Sequence, residues 1–368
     1  MLNNHQLTRQ LAQLVSFPTI SGDVRQNQRA LDYVETLICK QAQVKRIQNK
    51  QTEILLVGNR NLLNPDMAYL VHIDVVAAKP QQWQMTVKGN KAFGRGVSDM
   101  KFSIPIGVAL LNQLIKNNSP LSFTLAITTD EEVGGFNGGK YLADELAFRP
   151  KLLIVPDGGD DFNFINKSKG VCQLVITASG KPAHASMPWN GRNALDSLVR
   201  LAAQLLKLYS SNNQQPSWKT TMNIGQIKGG TSTNQVCAHA EMRLDFRFSG
   251  TVAPLQIKRE VLQLAKEIDS VISVEYAGTG LPTFTDGSLP VVKDLITSLE
   301  SVVKRKIKIR GEYGASDARH FTEYQIPILM IKPKGGNIHG DNEWIDLDSC
   351  LLFYRGFKKF IQQQERKS

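Results

Sequence analysis

Five stretches of the chain bring histidine or carboxylate to the end of an apolar run. "YLVHIDVVAA" (residues 69–78) leads into His72 and Asp74, and "GRGVSDMK" carries Asp99. "FTLAITTDEEVGG" ends in Asp130, Glu131 and Glu132, "LLIVPDGGD" in Asp157, and "GGNIHGDNEW" holds His339 in a Gly-rich loop. Burying so many acidic groups without a counter-ion is costly. A divalent metal removes that cost. Carboxylates mixed with imidazole suit Zn2+ and related ions, and several carboxylates around one spot allow two ions bridged by a shared Asp. His72 and Asp74, at i and i+2 of a strand, share one face. The Asp74 carboxylate is therefore expected to accept the second ring N–H of His72 and fix its tautomer. Glu131 and Glu132 are adjacent, so in an irregular loop one can ligate while the other serves as general base toward a bound water.

These groups need a scaffold that gathers them. Residues 1–40 read as helix, with apolar positions at helical spacing around Leu7, Leu11 and Leu14 and again at Leu31, Val34 and Leu37. Short apolar strands follow at "EILLVGN", "AYLVHID", "FTLAITTD" and "LLIVPD", with helical segments between the later ones. This alternation predicts an α/β sheet covered by helices on both faces, whose strands deliver ligands at their carboxyl ends. From "VCQLVITASG" to "VISVEYAG" the order changes to βαββαβ, which suits a compact four-stranded antiparallel sheet with its helices on one face. The helix "VVKDLITSLESVV", the strand "IPILMIKPK" and the helix "LLFYRGFKKFIQQQ" then return to the first style. The expected division is a catalytic domain over 1–168 and 281–368, interrupted by an α+β ferredoxin-like satellite over 169–280.

Composition narrows the classes. Over 368 residues, 42% are hydrophobic and 21% charged, as in an ordinary globular protein. The four cysteines are far apart and form no C-x-x-C, so neither a disulfide framework nor a thiolate metal site is expected. The net charge of +11 is scattered, and its densest cluster, "VVKRKIKIRGE", alternates with apolar residues as an amphipathic strand would, so a nucleic-acid partner is not expected. No apolar run is long enough to span a bilayer and the N-terminus lacks a secretory pattern, which predicts a cytoplasmic protein without a membrane partner. Ser98, Ser186 and Ser316 lack the G-x-S-x-G setting of a serine nucleophile. His5, His239 and His320 match no motif and read as surface or structural residues.

Taken in order, "HIDVV", a following Trp83, "GRGVSDMK", "TTDEEVGG" and "GKPAHASMP" resemble the metal-dependent exopeptidase and deacylase family that includes succinyl-diaminopimelate desuccinylase, acetylornithine deacetylase, aminoacylase and carboxypeptidase G. The resemblance covers nearly the whole chain. It implies a zinc-exopeptidase-like α/β domain with a mixed central sheet and an inserted satellite that mediates homodimerisation. It also implies His72 and Asp157 on one zinc ion, Glu132 and His339 on a second, and Asp99 bridging both, with Co2+ or Mn2+ as substitutes. Glu131 is then the general base and Asp74 the residue that orients His72. His184 is similar to a family histidine that reaches the partner subunit's site and stabilises the oxyanion. Asn234 and Arg247 match positions that bind a substrate carboxylate, and Gly314, Ala315 and Ser316 resemble a substrate loop. Two departures stand out: Asp157 occupies a position often held by Glu in the desuccinylase and carboxypeptidase branches, and no Pro follows the paired valines.

The expected activity is zinc-dependent hydrolysis of the amide of a small N-acyl amino acid through a metal-activated water. A dipeptidase or other exopeptidase is the alternative within the family, and a non-catalytic metal-binding scaffold is the alternative outside catalysis.

Overall fold

The computed structural model describes residues 2–250, 252–269 and 271–367. Two compact units divide the chain: the residues up to Lys167 together with those from Phe284 onward, and Ser168–Thr283 between them.

The first unit is built on an eight-stranded sheet with the spatial order Gln43–Asn49, Thr52–Gly58, Phe123–Thr128, Met67–His72, Leu153–Val155, Ile328–Met330, Phe164–Ser168 and Ile309–Glu312. The four strands Phe123–Thr128, Met67–His72, Leu153–Val155 and Ile328–Met330 are neighbours and run parallel, while Gln43–Asn49 with Thr52–Gly58, Thr52–Gly58 with Phe123–Thr128, and Ile328–Met330 with Phe164–Ser168 pair antiparallel. Parallel strands are covered on both faces, and these are buried throughout. Tyr69, Val71, Leu125 and Ile127 pack to one side with Leu7, Leu11, Leu14, Phe353 and Phe357 from the helices Asn4–Val15 and Leu347–Glu365. Ala68, Leu70, Ala126 and Val155 pack to the other with Leu142, Phe148, Ala318 and Phe321. The sandwich of helices around a mixed sheet is the expected fold class.

Local sequence explains where the elements differ from expectation. The N-terminal helical stretch is two helices, Asn4–Val15 and Val24–Thr36; Met1 lies outside the described residues. The break falls at Phe17–Pro18, because a residue before proline is pushed out of the α region. Asp23 then caps the second helix by accepting from Gln26 N at 3.1 Å. "VVKRKIKIRGE" is not one strand. Its valines end the helix Pro290–Val303, Lys304 turns the chain at a φ of 58°, and only Ile309–Glu312 joins the sheet edge. The strand in "IPILMIKPK" is trimmed to Ile328–Met330 between two prolines. The polar strand Gln43–Asn49 was not apparent from hydrophobic pattern, since it lies at a solvated edge where inward apolar residues are few.

The inserted unit holds a four-stranded antiparallel sheet in the order Thr221–Gly229, His239–Phe248, Gly170–Ser179, Ile272–Gly280. Strand alternation sends Cys172, Leu174, Ile176, Met242, Leu244 and Phe246 to one face. There they meet Leu198, Leu201 and Leu205 of helix Ala194–Asn213 and Ile257, Val261 and Ala265 of helix Pro254–Ile268. The chain leaves and re-enters the first unit on paired segments: Lys167 bridges Phe284, and Thr285 N donates to Asn166 O at 2.8 Å. No described helix is long and apolar enough to cross a membrane.

Candidate metal centre

Because neighbouring strands of the first unit are parallel, their carboxyl ends share one edge of the sheet. Met67–His72 ends in His72, Phe123–Thr128 leads to Asp130, Glu131 and Glu132, Leu153–Val155 leads to Asp157, and Ile328–Met330 leads into the loop with His339. Asp99 enters from an irregular turn at Val97–Lys101, where the Asp99–Met100 peptide is cis.

The side chains converge as two overlapping sets. Ligand atoms of His72, Asp99 and Asp157 lie within 4.8 Å of one another, and so do those of Asp99, Glu132 and His339. Asp99 belongs to both. Its Oδ1 is 3.3 Å from His72 Nε2, and its Oδ2 is 3.2 Å from His339 Nε2, which is also 3.0 Å from Glu132 Oε2. Such separations approach the roughly 3.4 Å edge of a tetrahedron with bonds of about 2.1 Å around one zinc ion.

His72 is 2% exposed. Its Nδ1 donates to the Asp74 backbone carbonyl at 3.0 Å, and the Asp74 carboxylate is farther away, at 3.6 Å. The expected side-chain contact is thus replaced by a main-chain one, because the strand ends at His72 and residues 73–75 leave the pleat. The outcome for the ring is similar: with Nδ1 donating, the neutral imidazole offers Nε2 as acceptor. That atom is buried and has no hydrogen-bond partner among the described residues. The Asp74 carboxylate instead accepts from Ser21 Oγ at 2.6 Å and from the backbone N–H groups of Glu131 and Glu132, each at 3.1 Å. It therefore holds the Glu131–Glu132 turn.

Electrostatics shows what the cluster lacks. Burial, then the neighbouring Asp99, pushes Asp157 up to about 7. Burial also raises Glu131 well above the usual carboxylate range, with Asp157 and Asp317 adding to the shift against His72 and Arg319. His339 is raised to about 10 by its bonds to Asp99 and Glu132. Burial alone would lower His72, but Asp74 and Asp99 outweigh it and raise the imidazole well above its ordinary value. Carboxyl groups raised by burial and acidic neighbours, beside imidazoles raised by carboxylates, mark a cluster short of positive charge, and Nε2 of the neutral His72 ring is a ready ligand atom. Divalent cations fit this donor set.

The remaining candidates sit elsewhere. In the inserted unit, "GKPAHASMP" and "TNQV" pair: His184 bridges Gln235, and Ala185 N donates to Asn234 O at 2.9 Å. His184 is exposed, and Ser186 N donates to its Nδ1 at 3.2 Å, which leaves the neutral ring protonated at Nε2 and able to donate. Asn234 is exposed and accepts from Ser232 Oγ. Arg247 is gripped by Asp245, Nε to Oδ1 at 2.7 Å and Nη2 to Oδ2 at 3.3 Å, so two of its five donors are committed. In the first unit Gly314 is exposed and Ala315 half-buried, whereas Ser316 is buried with Oγ 3.7 Å from Met330 Sδ.

Residues outside the predicted site brace it, among them His320, which the sequence analysis read as surface or structural. Arg319 donates to Gly134 O at 2.7 Å and lies 3.7 Å from Glu131 Oε1. His320 Nε2 donates to the same carbonyl at 3.1 Å; burial, then Arg319, lowers it to about 3, so this histidine is neutral and structural. Glu312 accepts from Gly159 N at 2.8 Å beside Asp157. The resemblance to a substrate loop over 314–316 stops short of Arg319, and no local pattern marks Glu312.

A profile of Peptidase family M20/M25/M40 matches residues 68–363. Succinyl-diaminopimelate desuccinylase of Dechloromonas aromatica (strain RCB) is 24% identical over 324 residues, 84% of this chain and 86% of that protein. An M20 family metallo-carboxypeptidase from Sulfolobus solfataricus superposes with a TM-score of 0.82 at 16% identity, over 98% of this chain and 99% of that one. A tripeptidase from Staphylococcus aureus gives 0.76 at 21% identity over 100% of both chains. The structural likenesses speak to the fold, and the profile carries the assignment that the motifs suggested: this chain belongs to peptidase family M20/M25/M40 and is a hydrolase of amide or peptide bonds.

Proposed function

We propose that the protein is a zinc-dependent amidohydrolase that cleaves the amide of small N-acyl amino acids. One observation carries the reading: two ligand sets meet at Asp99, with Glu131 beside them and in neither set. His72, Asp99 and Asp157 would hold one ion, and Asp99, Glu132 and His339 the other. Divalent ions held there supply a Lewis acid for the scissile carbonyl and lower the pKa of the attacking water.

The chain's own groups do the rest. Glu131 takes the proton of the attacking water on a carboxylate oxygen and delivers it to the leaving nitrogen. Asp74 keeps that carboxylate in place by gripping the Glu131 and Glu132 amides. His184, with a proton on Nε2, is the proposed donor to the oxyanion. Asn234, Arg247 and the 314–316 loop are the proposed contacts to the substrate carboxylate. The inserted unit is the proposed dimerisation domain, and the first unit the catalytic one.

The test is amine release from acetyl, succinyl and formyl amino acids and from simple dipeptides, with zinc-loaded and chelator-stripped protein compared directly. Zinc-dependent release from acyl amino acids supports the proposal. Release from dipeptides alone replaces it with an exopeptidase. No release from any of them, with zinc bound and the fold intact, favours the scaffold.

A further inference from the structure

We infer that Glu343 and Arg95 are positioning residues of the metal centre, setting Asp99 and His339 in place from behind. The inference rests on the two-ion reading above. Glu343 is 1% exposed and Arg95 3%. The Glu343 carboxylate accepts four bonds: Oε1 from Ser98 N at 2.8 Å and Asp99 N at 3.1 Å, Oε2 from Gly96 N at 2.9 Å and Arg95 Nη1 at 2.8 Å. That fills the acceptor capacity of a carboxylate. The turn it grips is tight, since Gly96 has a φ of 79° and a Cβ there would come within 2.7 Å of Val75 Cγ1.

Arg95 forks. While Nη1 bonds Glu343, Nη2 donates to the backbone carbonyl of His339 at 3.1 Å, a residue whose own φ is 62°. Gly94 N donates to Glu343 O at 3.2 Å, and Gln82 Nε2 to Gly340 O at 3.0 Å, so the Asp99 turn and the His339 loop are laced together. Apart from the Arg95–Glu343 ion pair, every one of these contacts involves main chain. The Asp99 carboxylate and the His339 ring are left unengaged by the brace and remain available to ions.

The two braces differ in reach. Asp99 is common to both ligand sets, whereas His339 belongs to one. Glu343, acting on the Asp99 amide, therefore serves both ions, and the Nη2 arm of Arg95, acting on His339, serves one. A residue that merely stabilised the fold would not separate the two ions.

The experiment is calorimetric titration of Zn2+ into the chelator-stripped full chain, with near-UV circular dichroism as the check on folding. Arg95→Lys keeps a positive charge against Glu343 but has no planar fork to reach His339 as well. It is expected to weaken one class of zinc site about 10-fold or more and leave the other unchanged. Glu343→Gln is expected to weaken both classes by roughly 10- to 100-fold, in line with other residues that orient metal ligands. Equal weakening of both classes in Arg95→Lys, or none, overturns the Arg95 assignment. Wild-type binding in a folded Glu343→Gln overturns that of Glu343. If Glu343→Gln does not fold, Glu343→Asp, which keeps the charge but shortens its reach to the Ser98 and Asp99 amides, takes its place with the same expected and overturning results. Absence of zinc binding in the wild type would overturn the two-ion centre itself, and these roles with it.

Discussion

Replacing Glu131 by Gln tests the proposed general base separately from the proposed ligands around it. The side chain keeps its size, and its nearest cationic neighbour, Arg319 Nη1, is 3.7 Å away, too far for a hydrogen bond to be lost. The backbone N–H of residue 131 still donates to Asp74. What disappears is a proton acceptor, and a positioned general base contributes about 10²- to 10⁴-fold, equivalent to about 3–5.5 kcal/mol of barrier. The fall should lie in kcat, with KM and bound zinc close to wild type. Stability should move the opposite way. An acid whose folded pKa lies above its unfolded value loses stability as pH rises from the unfolded value through the folded one. Glu131 is such a group, because burial raises it well above the ordinary 4.5. At pH 7 the stripped Glu131→Gln protein should therefore melt at a higher temperature than stripped wild type. Steady-state kinetics, metal analysis and thermal melts of both forms check this. Loss of zinc together with activity, or wild-type turnover, would refute the assignment of Glu131 as base.

Asp74→Asn puts an amide N–H2 where oxygens now accept from two backbone amides and Ser21, and should cost about 2–4 kcal/mol from one charge-assisted bond and one stranded buried N–H; chemical denaturation measures it, and a loss below that of a surface substitution would count against the bracing role. Two site groups should each cost the stripped protein stability as pH rises: Asp157, raised to about 7, disfavours folding progressively from about pH 4 to 7, and His339, raised to about 10, contributes stability that is complete below about 6.5 and gone above 10. Melts from pH 5 to 10 should therefore show stripped wild type losing stability relative to a stripped Asp157→Asn, His339→Gln double variant, and a difference that stays flat or runs the other way would contradict the charge balance described here. His184→Ala should lower kcat more than it raises KM; if dimers mixed from His184→Ala and Glu131→Gln chains recover no activity, delivery of His184 to the partner's site is wrong.

How far the sequence could be read depended on whether a residue's role was written in its neighbours. Strands such as Met67–His72 and Phe123–Thr128 are buried along their length, so an apolar run followed by polar residues marked both the strand and its carboxyl end. Helix Pro254–Ile268 announced itself by its period and its leading proline. The gathering of His72, Glu132, Asp157 and His339 followed from strand ends in an α/β sheet, whereas Asp99 arrives from an irregular turn and its shared place was implied only by the family resemblance. Glu343 was invisible for the converse reason. It is one acid in a polar loop, and its partners lie almost 250 residues upstream, at separations of 244 to 248. The direction of the Asp74 carboxylate was misjudged because strand geometry was extended two residues past the point where the strand stops. The edge strand Gln43–Asn49 has too little buried surface to leave a pattern.

The adjacent exit and re-entry of the chain at Lys167 and Phe284 bears on how the molecule folds. Strand Ile328–Met330 must find Leu153–Val155 across the whole inserted segment, a separation at which closing the loop is entropically expensive and slow. The insertion has its own apolar core and closes its sheet without any strand from the host, so it can fold as a unit. Once it does, Thr283 is hydrogen-bonded to Ser168 at 3.1 Å, and the two ends of the interrupted sheet emerge side by side. The search then spans only the residues outside the insertion. An interruption that looks like an obstacle to forming the metal-gathering sheet thereby becomes a clamp that lowers its effective contact order. The length of the insertion can change without altering the problem that its host must solve.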